Sequence, residues 1–221
     1  MQPFLQINEK KLYSSKQILF GDLSMNKIIY SFLLLTAVSI SAGHHEAGNS
    51  KDWEIKAYTS AAPAFIGDYA TVIGASGKVI RKGSNGWRCE PFMPMPEGGF
   101  KTPHEAAPAC SDANAVAWAN AYKSQQKPEL EADGWIWMLH GDLGVDNFKP
   151  YTDGQKNMGH RHFIESGAHL MLMPKDPSSM DGQSTDYTNG GPYVMFQGTP
   201  YVHMMIPVEG YYDYQPEAAP K

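Results

Sequence analysis

The chain has 221 residues, with 18 Lys and Arg against 23 Asp and Glu, eight His and a formal net charge of −5. No Lys/Arg cluster lies beyond residue 42, which argues against nucleic acid or an anionic membrane surface as partner. The same length excludes dependence on metal or disulfide for a core: a domain of this size buries close to ~70% of its unfolded surface.

Residues 1–24 carry Lys10, Lys11 and Lys16 without clear periodicity and read as an extension of the gene model, with Met25 as the expected start. Asn26 and Lys27 then precede an apolar run over residues 28–40, followed by Ser41, Ala42 and Gly43. That order of charged, apolar and small residues is the pattern of a secretory signal. The run is shorter than the ~20 residues that span a bilayer, and polar residues follow at once. Residues 25–42 are therefore expected to be cleaved, with no stable membrane insertion afterwards and a periplasmic or extracellular destination. Cleavage takes four basic and two acidic residues away and leaves a net charge of −7. Residues 43–210 are expected as one globular domain and 211–221 as a flexible tail. In an oxidising compartment the two cysteines, Cys89 and Cys110, are expected as a disulfide closing a segment rich in Pro and Gly.

Residues 69–73 and 78–81 are β-rich runs around Gly74-Ala75-Ser76-Gly77 and predict a hairpin; Asn85-Gly86 marks the next turn. Ser111 or Asp112 can cap a helix that shows Ala115, Trp118, Ala119 and Tyr122 on one face, with Pro128 as its stop. Strands are predicted at 135–140, 168–173, 193–197 and 201–206. A loop of about 20 residues fills 142–163. The sum is an α+β domain, mostly antiparallel sheet with one main helix packed on it and long loops.

Two strand candidates share an order of His, apolar, Met, apolar: His169-Leu170-Met171-Leu172 and His203-Met204-Met205-Ile206. Alternate residues of a strand share a face, so His169, Met171 and Met173 line one surface and His203 and Met205 another. If the strands are neighbours, the two surfaces merge. Together with Gly83-Ser84-Asn85-Gly86-Trp87-Arg88-Cys89-Glu90-Pro91, Ser166-Gly167-Ala168-His169-Leu170-Met171 and the stretch 190–203, which begins Gly190-Gly191-Pro192-Tyr193, these segments resemble an uncharacterised family of secreted bacterial proteins. The likeness runs over about residues 62–208 and departs in the 142–163 loop, where Lys149, Tyr151, Lys156, His160 and His162 stand. It implies export and brings no assigned activity.

Thioether sulfur and imidazole together suit copper, Cu(I) above all. A metal surface made of His169, Met171, His203 and Met205, joined by His140, is the sharpest functional expectation; adaptable Met packing around core histidines is the plainer one. The amino terminus left by cleavage would carry His44 and His45, a chelating set for Cu(II) or Ni(II). In the long loop, His160, His162, Asp142, Asp146 and Asp153 are candidate ligands for Ca²⁺ or Zn²⁺ whose spacing matches no ligand frame. Glu165 near His162 and His169 would make a His/carboxylate pair for a secreted hydrolase. No G-x-S-x-G elbow, phosphate loop, CxxC or dinucleotide fingerprint occurs. The expected function is thus a non-catalytic binding or structural module for a metal, a small ligand or a protein partner, with the hydrolase as the alternative.

Overall fold

A computed structural model describes residues 48–151 and 162–221. The expected extension, the signal segment, His44, His45, Asp153, Lys156 and His160 lie outside the described residues.

The first described helix, α1 (Lys51–Thr59), begins at Ser50, whose side chain accepts from the Trp53 amide. Its sequence gave no warning, because only Ala57 and Tyr58 are buried and the rest is polar or half-buried. A short helix α2 (Ala64–Gly67) leads into the expected hairpin, β1 (Thr71–Ile73) against β2 (Val79–Arg81). β3 (Arg88–Pro91) pairs parallel with β1 and antiparallel with β4 (Pro108–Ser111), the two being separated by α3 (Pro103–Ala106). Cys89 stands directly opposite Cys110 in the β3/β4 ladder, bridged to it across a Cα separation of 4.0 Å, and both are fully buried. That spacing suits a non-hydrogen-bonded antiparallel pair. The bridge closes the Pro- and Gly-rich segment at its base.

Asp112 caps α4 (Ala113–Lys123) by accepting from the Ala115 amide. The predicted face is the packed one: Ala115, Trp118 and Ala119 are buried. The helix ends at Ser124 and Gln125, the latter at φ 56°, before Pro128 is reached. After α4 come β5 (Gly134–Met138), β6 (Val145–Asp146), β7 (Phe163–Ile164), β8 (His169–Met173), β9 (Tyr193–Met195) and β10 (His203–Pro207). Eight strands of the described residues form one mostly antiparallel sheet in the order β2-β1-β3-β4-β5-β8-β10-β9. The long loop is more structured than expected, because β6 and β7 pair within it.

Alternation along β4 and β5 sends neighbouring residues to opposite faces. Cys110, opposite Trp137, belongs to the side covered by α1, with Tyr58 and Val72. Ser111, opposite Ile136, belongs to the side covered by α4, where Ala109, Met138, Met171 and Met205 gather. The sheet therefore carries helices on both faces, α1 over one half and α4 over the other.

The tail expected to be loose is packed from Tyr211 onward. Tyr211 is 2% exposed, its hydroxyl meets those of Tyr193 and Ser166, and its carbonyl accepts from the Gly167 amide. Tyr214 stacks on His104 at 3.8 Å, and Gln215 accepts from the Glu165 amide. Two aromatic residues next to each other, Tyr211 and Tyr212, supply the burial that a polar tail lacks.

Candidate functional site: a methionine-lined cavity under α4

The described residues leave space between α4 and the sheet. A cavity of about 460 Å³ remains, within the range of small-molecule sites. Its floor is the α4 side of β5, β8, β10 and β9, where Ile136, Met138, Met171, Met173, Met205 and Met195 face inward. Its roof is α4, through Trp118, Ala119 and Tyr122. The helix approaches closely at one end because Gly134 lacks a side chain: a Cβ there would lie 2.5 Å from the Ala115 amide nitrogen. Met93 and Lys123, both exposed, mark the open side, with the Lys123 ammonium 5.5 Å from the centre of the Phe92 ring.

One end is closed by the loop that begins at Asp142. Gly144 takes φ +91°, and a Cβ there would fall 2.0 Å from the Phe163 ring, so only glycine lets β6 turn over that ring. The loop is stitched to the sheet by the Phe196 amide, which donates to the Asn147 carbonyl at 2.7 Å. Phe196 itself sits at φ 55° and lines the cavity.

Asp142 and His203 bring titratable chemistry to the cavity wall, beside Lys123 at the open side and the Tyr122 hydroxyl and Trp118 indole of the roof. Asp142 Oδ1 accepts from the Gly144 amide at 2.8 Å and the Ser166 amide at 3.3 Å. Burial nevertheless pushes its carboxyl up to about 6, against those hydrogen bonds and the nearby His104. His203 is 4% exposed, and its Nδ1 lies 3.0 Å from the Tyr201 carbonyl, to which it donates. Burial holds its imidazole down near 4, so it is neutral at pH 7. The Trp118 and Phe196 rings flank it, each 5.3 Å away and inclined by about 70°.

The predicted metal set is regrouped by the structure. β8 and β10 are neighbours, so their faces do merge, with Met171 directly opposite Met205. His203 joins them on the cavity wall. His169 does not: it lies opposite Pro207, at the other end of the ladder from His203, about 13 Å along the strands. It is fully buried, Nδ1 donating to the Gly167 carbonyl at 2.6 Å and Nε2 without a hydrogen-bond partner among the described residues. His140 lies beyond β5, with Nε2 at 2.7 Å from Ser60 Oγ. In the loop, Asp142 and Asp146 turn onto backbone amides, Asp146 accepting from Phe148 and Lys149. Among the described residues no group of three or more His, Cys, Asp or Glu is placed to hold a metal ion.

The His/carboxylate pair is regrouped as well. Glu165 Oε1 meets His104 Nε2 at 3.0 Å, and His104 Nδ1 donates to the His140 carbonyl at 2.7 Å. This polar chain reaches Ser60 through the His140 ring, which gives a serine and histidine in contact. Ser60 Oγ also donates to the Ala57 carbonyl at 2.9 Å as part of the α1 terminus. Its single proton spent there, it accepts from His140 Nε2, the opposite tautomer to the one a general base needs.

Sequence reasoning missed His104, Met195 and the cavity itself. His104 is set in a Pro/Gly-rich segment with no period to flag it. Comparison of the chain with protein-family models, with curated proteins and with solved structures finds no match.

Proposed function

We propose that this is an exported, non-catalytic binding module that takes a small, weakly polar ligand into the cavity under α4. The observation that supports it is the 460 Å³ of unfilled space walled by thioether and aromatic side chains, in a chain otherwise packed on both faces of its sheet. Interiors normally close to crystal-like density, so a void of this size beside flexible methionines calls for an occupant. Methionine adapts to ligand shape and makes favourable contacts with aromatic rings. His203 Nε2, an acceptor, and Asp142 would orient a ligand carrying one hydrogen-bond donor. Export rests on the signal pattern at 25–42, on the disulfide, and on the resemblance to secreted bacterial proteins; among the described residues no helix is long and apolar enough to cross a membrane.

The test is titration with a neutral apolar fluorophore, N-phenyl-1-naphthylamine, read by its own emission and by quenching of Trp118. Saturable 1:1 binding is expected, weakened at least about tenfold by Ala119→Leu, which grows a side chain into the space while α4 keeps its helix propensity. A parent protein that binds neither this probe nor any of a panel of neutral aromatic compounds would overturn the reading.

A further inference from the structure

The wall of the cavity beneath Trp118 is built where three strands run side by side. β10 pairs with β9 so that His203 stands opposite Met195. It pairs with β8 so that Met204 stands opposite Leu172, which places the next residue, His203, across from Met173. All three side chains line the cavity. Directly opposed residues in a sheet hold their Cβ atoms about 4.5–5.5 Å apart, within the span of a methionine on either side. The tautomer of the central imidazole is set by the Nδ1–H bond to Tyr201, which leaves the Nε2 lone pair without a hydrogen bond among the described residues. The Trp118 and Phe196 rings pack against the imidazole in T-shaped contacts, each with its centroid 5.3 Å away.

We propose that Met173, His203 and Met195 form a cuprous-ion site. Two thioethers and one neutral imidazole are soft, uncharged donors. They offer nothing to Ca²⁺ or Mg²⁺, which require oxygen ligands, and no thiolate or carboxylate that structural Zn²⁺ sites use. A monovalent soft ion keeps its single charge here in a cavity that Trp118 and the Asp142 carboxylate also line. This site differs from the set read off the sequence. There the pairing ran along each strand, whereas here one histidine is shared by methionines from the strands on either side of it. The site stands on strand register, independently of whether the cavity also takes an apolar molecule.

The full exported chain, metal-free and with its Cys89–Cys110 disulfide intact, is titrated anaerobically with Cu(I) against a chromogenic bidentate chelator. One tightly held Cu(I) per chain is expected, with X-ray absorption showing two sulfur and one nitrogen neighbour. Changes outside the ligand shell typically cost about 10–100-fold in metal affinity, so the double variant Met173→Leu, Met195→Leu is expected to lose more than 100-fold. Met204→Leu, on the opposite face of β10, is expected to bind as the parent does. Leucine preserves apolarity and nearly preserves volume, so the near-UV circular dichroism and melting temperature of the double variant should stay close to the parent's, which separates loss of the copper site from loss of the fold. Failure of the parent to hold Cu(I) against the chelator, an absorption spectrum without sulfur neighbours, or undiminished binding in the double variant would each overturn the proposal.

Discussion

Asp142 and the buried histidines pull the acid stability of the protein in opposite directions. Asp142 ionises near 3.8 when unfolded and about 6 in the fold. Its contribution is fully present below the unfolded value and is lost as pH rises through 6, because the fold then holds a charge it solvates poorly. His169 and His203 fall from 6.5 to about 4; their contribution is present above 6.5 and lost as pH falls toward 4. Asp142→Asn keeps an oxygen for the Gly144 and Ser166 amides and removes the charge. The expected outcome is that the melting temperature of the variant, relative to the parent, rises steadily from pH 4 to pH 7; the histidines cancel in that comparison. A pH-independent difference would show that solvent reaches Asp142 well enough to hold its charge.

At the scale of elements, Asp112 joins a helix to a strand. One carboxylate oxygen caps α4 through the Ala115 amide at 2.8 Å, and the other accepts from the Trp135 amide at 3.0 Å as β5 begins. Loss of a cap costs about 1 kcal/mol and a further hydrogen bond about 1 kcal/mol, so Asp112→Ala is expected to destabilise by about 2 kcal/mol in urea denaturation. A loss under half of that would mean the two ends are held by packing alone. α4 was legible because its apolar residues recur at helical spacing and its cap precedes them. α1 was not, since two buried residues make no pattern. The period-two order of His and Met in β8 and β10 was legible too, but it reports which residues share a face of one strand and nothing about which strand lies beside it. Met195 became part of the site only because β9, earlier in sequence than β10, sits at its outer side.

For the molecule as a whole, the disulfide fastens β3 to β4 near the middle of the sheet, between the half covered by α1 and the half covered by α4. Its sequence separation of 21 corresponds to about 3 kcal/mol of stabilisation in the chain-entropy picture. Removing it by Cys89→Ala, Cys110→Ala should lower the melting temperature by several degrees in calorimetry while leaving the cavity, on the other face, able to bind its probe. Loss of probe binding in a variant that remains folded would show that the bridge also sets the spacing between α4 and the sheet.

The amino-acid sequence by itself determined the partnership of the two cysteines, the hairpin, the capped helix and the strands that carry His and Met, because each is a local signal of spacing or composition. Tertiary structure alone decided the rest. It chose which strands are neighbours, which placed His203 between two methionines and moved His169 to the far end of the ladder. It gave Glu165 to His104 and packed Tyr211 against Tyr193, and it left space under α4 that no linear pattern announces. Strand order and cavities arise from contacts between residues distant in the chain, and neither leaves a period in the sequence.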